Sequence, residues 1–346
     1  FMGYQAGDAT TVGLYNVAIG GASLGNNILG SNSVAVGTSA LFSQNYATAT
    51  NAYNTAIGHE AGAAVTTGTH NTLIGGLAGD AITTGTNNVA VGVSALTANT
   101  TGAYNNAVGA NSLQANTTGN ANFAGGWSAL YSNTTGASNV AIGHAALNLN
   151  TTASNNTAVG ANSLQANTTG ANNVGIGVGT LKDNTTGATN TALGSEALNN
   201  NTTAANNVAI GADALYTNTT GASNVAVGAG ALDANTTASN NTAVGRSALG
   251  ANTTGSENTA VGRISLDANT SGSNNVAIGN GALSDNTTGG QNVAVGSQAL
   301  FDNTTASNNT AVGEQALKLN TTGANNVALG NLALTANTTA GSNVAL

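Results

Sequence analysis

The sequence predicts an all-β fold, a β-solenoid (parallel β-roll) of about twenty coils. Three observations predict it. The chain repeats one phrase of 17 residues along its 346 residues, its charged residues amount to only 5% with no proline or cysteine, and its apolar residues follow no helical period. Hydrophobic residues reach 40% and recur at fixed places, which favours repetitive order over disorder.

The repeat is counted from the glycine that ends phrases such as "NNVAIG", which we number position 0 of each coil. This glycine falls at Gly3, Gly20 and Gly37, and then at every 17th residue from Gly58 to Gly330. The longer step between Gly37 and Gly58 indicates a four-residue insertion near 44–53. We interpret 1–346 as a single repeat array, a shaft segment of a longer chain.

Each position in the coil has its own residue preference. Position −4 is Asn in nearly every coil, position −3 is mostly Val or Thr, position −1 is Val, Ile, Leu or Met everywhere but Gly125, and position +4 is mostly Leu. Alternation at −3 and −1 predicts a short strand with both side chains on one face, after which the glycine lets the chain bend toward the Leu. We expect an Asn ladder and a core of Val, Ile and Leu columns, represented by Asn207, Asn224, Asn241, Val227, Val244, Leu232 and Leu249.

The variable positions indicate the outside of the coil. Nearly all charges fall at +1, +2, +5 or +6, and most aromatic residues lie on the same arc. We expect surface contacts at Trp127, Tyr131, Tyr216 and Phe301. The low charge has a physical reason, because a like charge repeated in each coil would lie directly over its neighbour.

The coil also indicates self-association. About three large apolar residues per coil make a thin core, and the Val and Thr mixture at −3 indicates a semi-buried contact with other copies of the chain. We prefer a side-by-side homotrimer over a lone solenoid.

Two resemblances agree with this interpretation. "NSVAVG" at Asn32–Gly37 and "NNVAIG" at Asn206–Gly211 resemble the head repeats of trimeric autotransporter adhesins, which implies three chains side by side on a bacterial surface. "GYQAG" at Gly3–Gly7 and "TTAANNVAIGADAL" from Thr202 are similar to repeats of tail-fibre and surface-fibre proteins of environmental phages and bacteria. That resemblance implies a fibre shaft, on a cell surface or a virion.

Several patterns leave alternatives open. "NTT" matches the N-glycosylation acceptor pattern at Asn99, Asn116 and Asn133, but we prefer the explanation that Asn and Thr ladders shape a turn, which needs no sugar. The rows of repeated Thr also lead to the hypothesis of ice binding, with Asn and Thr as the expected outward pair. The coil with Phe123, Gly125, Trp127 and Tyr131 indicates either compensatory packing or an aromatic patch that contacts carbohydrate.

Catalytic and metal-binding patterns do not stand out. His59, His70 and His144 have no ligand spacing, and Asp285 and Asp302, one period apart, fit either a hard cation or plain solvation. With a net charge of −8 and no apolar run of about 18 residues, we expect neither nucleic acid binding nor membrane insertion.

We therefore expect no enzyme, no cofactor and no metal. The expected function is that of a non-enzymatic shaft of an extracellular or virion fibre that gives reach, stiffness and adhesion, with a cell-surface or carbohydrate receptor as a candidate partner. The alternative is a monomeric ice- or surface-binding β-solenoid.

Overall fold

The fold is all-β, and each part of the chain is a parallel β-solenoid. The computed structural model describes residues 1–346. Two compact units, Phe1–Asn172 and Asn173–Leu346, are described separately. In both, nearly every strand pairs in parallel with a strand 17 residues away, which confirms the predicted fold class and period. The chain contains no helix of the length and hydrophobicity needed to span a membrane.

The first unit contains one sheet and a small second one. The main sheet follows chain order through β1, β3 and β5 to β11, while β2 and β4 pair at the insertion. The strands are β1 (Val17–Ile19), β2 (Gly30–Ser31), β3 (Val34–Val36), β4 (Thr50–Asn51), β5 (Thr55–Ile57), β6 (Thr72–Ile74), β7 (Val89–Val91), β8 (Asn106–Val108), β9 (Phe123–Gly125), β10 (Val140–Ile142) and β11 (Thr157–Val159).

The second unit repeats this plan without an insertion. Each of its strands pairs with the next in the chain. The strands are β12 (Val174–Ile176), β13 (Thr191–Leu193), β14 (Val208–Ile210), β15 (Val225–Val227), β16 (Thr242–Val244), β17 (Thr259–Val261), β18 (Val276–Ile278), β19 (Val293–Val295), β20 (Thr310–Val312), β21 (Val327–Leu329) and β22 (Val344–Ala345).

The strands turn the opposite face inward from the one expected. Val227 and Val244 are paired in register, but Val227 is half-buried and Val244 is 36% exposed, so the expectation that they belong to the core is wrong. The alanine between −3 and −1 is the buried residue, as at Ala226 and Ala243. Its face is inside because the buried Asn at −4 has the same parity as position −2.

The core consists of narrow columns. Leu232 and Leu249 at +4 are fully buried, as expected, and so are residues at +3 such as Ala231. Where Leu73 replaces the usual alanine at −2, Gly79 replaces the usual Leu at +4, and a Cβ on Gly79 would lie 2.8 Å from the Leu73 side chain. The interior thus has a fixed width, and a larger side chain in the column at −2 requires a smaller one in the column at +4.

Two structural features require glycine at position 0. Gly211 has a φ of +132°, a region that side chains with a Cβ avoid, and an ideal Cβ there would lie 2.6 Å from the carbonyl carbon of Gly228. Each coil also bends at residues in the left-handed region that are not glycine, such as Asp213 at φ 57° and Leu215 at φ 54°.

Candidate functional site

The Asn at position −4 forms the predicted ladder, and it also closes each coil. Asn207 Oδ1 accepts a hydrogen bond from the backbone N–H of Asn224 (2.9 Å), and Asn224 Oδ1 accepts one from Asn241 (3.0 Å). Asn207 Nδ2 crosses the interior and donates to the carbonyl of Gly221 in its own coil (2.9 Å). These side chains therefore act both along the stack and across it.

The Asn of the "NTT" segment forms a second buried ladder. Asn99, Asn116 and Asn133 are fully buried. Asn116 Nδ2 donates to Asn99 Oδ1 (2.9 Å) and to the carbonyl of Gly119 (3.0 Å). The folded coil encloses these amide nitrogens, so the structure contradicts glycosylation of the folded chain at these positions and agrees with the turn-shaping alternative.

The two threonines that follow this Asn lie in different environments. The hydroxyl of Thr100 donates to the carbonyl of Thr117 in the next coil (3.1 Å), while Thr101 and Thr118 are exposed. One rank of Thr therefore faces outward. The expected outward pair of Asn with Thr is wrong, because the Asn is buried.

The outward side chains of the strands form what we call the outer rows, positions −3 and −1 of each coil. They are mainly Val, Ile, Leu and Thr, and no strand residue is Asp, Glu, Lys or Arg. In the first unit Ile57 is 40% exposed and Ile142 is 42% exposed, and in the second unit Leu193 is 43% and Ile278 is 40% exposed. Each unit thus presents an uncharged apolar sheet face without a covering layer.

The expected surface aromatics differ in their surroundings. Tyr216 and Phe301 are half-buried, and the Phe301 ring covers Gly281, whose Cβ would lie 3.2 Å from it. Trp127 and Tyr131 are exposed, and Trp127 stacks on His144, with ring centroids 4.9 Å apart and planes 19° apart. Trp127 and Tyr131 also line a concave site.

That site is a groove of about 390 Å³ in the first unit. It extends over adjacent coils, because positions +1, +2 and +5 of successive coils lie one above another. Asn148 is held in place by donating from Nδ2 to the carbonyl of Ser128 (2.9 Å). The lining includes Trp127, Ser128, Tyr131, His144, Asn148 and Gln165.

The unusual coil divides into two parts. Phe123 is on the outer rows, and a Cβ on Gly125 would lie 3.2 Å from its ring, so the Phe fills the space beside the glycine. This confirms compensatory packing for Phe123. Trp127 and Tyr131 lie apart from it, in the groove, where packing of Phe123 does not explain them.

The acidic residues do not assemble a metal centre. No group of three or more His, Cys, Asp or Glu side chains is arranged to hold an ion. Partial desolvation, followed by repulsion from Asp302, raises the pKa of Asp285. His59 lies 3.8 Å from Glu60, and His70 lies beside Tyr53 at a ring-centroid distance of 5.4 Å, so the three histidines of the chain have separate neighbours.

The comparisons with known proteins add no assignment. No family model matches the chain, and no curated protein is significantly similar to it in sequence.

Proposed function

We propose that the chain is a non-enzymatic shaft segment of an extracellular or virion fibre that supplies reach, stiffness and adhesion. The observation that carries this proposal is the unchanging register within each unit. In coil after coil, the side chain and the backbone at each position lie over those at the same position of the neighbouring coil. A repeat that keeps this register along a unit forms a regular stack in which each coil is held by its neighbours. Such a stack suits a mechanical role better than a role for one isolated site.

Stiffness follows from hydrogen bonds on several sides of the coil. Near the strand, Val208 N donates to Asn224 O (2.8 Å), and near the Leu column, Leu215 N donates to Ala231 O (3.0 Å). In the "NTT" segment, Thr219 N donates to Thr236 O (2.9 Å). Bending a coil away from its neighbour in any direction therefore stretches hydrogen bonds on one side.

We further propose that copies of the chain associate through the outer rows into a homotrimer. An uncovered apolar face of this extent is typical of an interaction surface. A second copy fits it best, because its rows repeat with the same coil spacing and bring no charge to be desolvated. The number three rests on the resemblance to the head repeats of trimeric autotransporter adhesins.

The shaft proposal is tested by removing whole coils. Deletion of Asn207 through Asn274 removes four periods and joins Asn206 to Asn275, which restores the register. At about 4.8 Å per coil, we expect a rod shortened by about 19 Å with the same width, measured by electron microscopy. A matched deletion that ends three residues earlier breaks the register and should unfold. Globular particles from the in-register variant would contradict the proposal.

The alternative, a monomeric ice- or surface-binding solenoid, has one observation in its favour. Thr118, Thr135 and Thr152 are exposed at the same position of successive coils. Thermal hysteresis of the purified chain that disappears when these three residues are changed to Lys would favour this alternative over the shaft. We expect no hysteresis, because only one Thr per coil faces outward.

A further inference from the structure

We propose that the groove beside Trp127 binds uncharged pyranose rings of an oligosaccharide. Only the biological role of this site rests on the proposed function, since sugar binding would give the shaft its adhesion. Its chemistry rests on the aromatic side chains, the polar lining, the shape and the local charge of the groove.

The indole of Trp127 provides a flat platform. Trp127 is 54% exposed, although large apolar side chains at this position are absent from most coils. His144 of the next coil stacks on one face of the indole and holds it in place, while the small Ala110 at the same position of the preceding coil leaves room at the other face. The electron-rich face of such a ring attracts the weakly positive C–H groups on the apolar face of a pyranose.

Polar groups surround this platform and are uncharged amides and hydroxyls. Tyr131 contributes a phenol, and Asn111, Asn148 and Gln165 contribute carboxamides. Amides and hydroxyls both donate and accept, so they match sugar hydroxyls, which do the same. An aromatic surface with a few convergent polar groups is the usual composition of a small-molecule site.

The groove has room because of two small residues. Ser128 and Ala145 occupy position +2 beside the rings, where other coils have long side chains such as Glu196 and Gln298. The resulting volume, about 390 Å³, is in the range of small-molecule sites. The same two coils therefore combine aromatic +1 side chains, Trp127 and His144, with small +2 side chains.

The absence of charge defines the ligand class. From Ala81 to Leu181 the sequence has no Asp, Glu, Lys or Arg, and the groove lies inside this range. A sialylated or sulfated sugar would find no Lys or Arg to pair with its acid group. A neutral oligosaccharide matches the groove without leaving a charge unpaired.

The test uses the fact that Trp127 is the only tryptophan of the chain. Cellotetraose, maltotetraose and tetra-N-acetylchitotetraose are titrated separately, and the tryptophan emission is recorded. We expect at least one of them to give a saturable change with a dissociation constant of about 0.1 to 10 mM, as suits an open groove. No saturable change with any of the three up to about 50 mM, or tighter binding of 3′-sialyllactose, would overturn the proposal.

Variants locate the binding, with isothermal titration calorimetry as the readout. Trp127→Ala and Tyr131→Ala should each weaken binding at least about tenfold, which corresponds to about 1.4 kcal/mol. Trp127→Ala suits the fold, because Ala110 and Ala161 occupy the same position in other coils. Tyr216→Ala, at the position of Tyr131 in another coil, is the control and should bind normally. Undiminished binding by Trp127→Ala would overturn the proposal. The rod measurement on the same samples reports separately on the shaft.

Discussion

At the scale of single residues, the glycine at position 0 is the most constrained residue of the coil. Gly211 has a φ of +132°, and an ideal Cβ on it would lie 2.7 Å from the carbonyl oxygen of Gly228. Gly230 differs, since its φ of +64° is one that Asp213 adopts at the same position, and the nearest atom to its ideal Cβ is 3.8 Å away. Two glycines of neighbouring coils thus allow a matched comparison.

Gly211→Ala should lower the free energy of unfolding by about 2 to 4 kcal/mol, because the substitution adds strain and a backbone clash. Gly230→Ala should lower it by only about 1 kcal/mol, because the left-handed backbone strains any residue with a Cβ but no atom blocks the added methyl group. Urea denaturation followed by circular dichroism gives both values. Equal effects of the two substitutions would contradict the assigned role of position 0.

A second residue-scale property is the response to pH. Burial, and then repulsion from Asp213, raises the pKa of Asp233, and burial is also the leading cause of a raised pKa at Asp80 and Asp267. In the window between the ordinary pKa of 3.8 and the raised value, the folded chain keeps a proton that the unfolded chain has lost. Stability is therefore greatest below this window and falls as the pH rises through it.

Asp233→Asn should raise the melting temperature at pH 7 by about 1 to 3 °C and reduce the loss of stability between pH 4 and pH 7. Asp213→Asn removes the repelling carboxylate and should act in the same direction with a smaller effect. Differential scanning calorimetry measures both. A wild-type melting temperature that rises steadily from pH 4 to pH 7 would contradict this explanation.

At the scale of the coil, the two Asn ladders depend on each other. The first unit contains a natural exchange, in which Ser33 replaces the usual Asn at −4 and Gln44 replaces the usual Asn at +7. Gln44 Nε2 donates to Ser33 Oγ (3.0 Å) and to Asn27 Oδ1 (3.2 Å), so it supports both ladders. The longer side chain compensates for the shorter one.

This exchange predicts a rescue in the second unit. Asn207→Ser should lower the free energy of unfolding by about 1 to 3 kcal/mol, because it removes hydrogen bonds between buried groups. Adding Asn218→Gln should recover part of the loss in a double-mutant cycle. Asn206→Ser is the control, since Asn206 is exposed and Ser223 occupies its position in the next coil. A double variant no more stable than Asn207→Ser would contradict the coupling.

The coil also shows what its sequence could and could not predict. The period, the strand position and the Leu column follow from comparing coils, because each position repeats its requirement many times. The buried face of the strand could not be predicted in this way. The alternation of side chains shows that Val225 and Val227 share a face, but not whether that face is buried. Both faces are apolar, and buried hydrogen bonds of Asn224 decide between them.

The groove was predicted in part. Trp127 and Tyr131 are close in sequence and were expected at the surface. His144 and Gln165 join them only through the stacking of coils. An alignment of positions +1 and +5 over successive coils contains that signal. The second ladder was predicted as an alternative for the "NTT" segment, but its burial was not, because Asn is usually a surface residue, and only the carbonyls facing the interior make its burial favourable.

At the scale of the whole molecule, the outer rows are uncovered, and we propose that they are covered when copies of the chain associate. Ile210→Lys together with Ile278→Lys places charges on this face, where Ile210 is 37% and Ile278 is 40% exposed. We expect dissociation into folded monomers, because the buried charges would have no partner. Asp213→Lys, on the charged arc, should leave the assembly intact. Circular dichroism separates dissociation from unfolding.

The mass of the chain in solution tests the central claim most directly. Sedimentation equilibrium at micromolar concentration should give three times the chain mass of 33.1 kDa. The Ile210→Lys, Ile278→Lys variant should give the mass of one chain under the same conditions. A wild-type mass of 33.1 kDa at every concentration tested would contradict association through the outer rows.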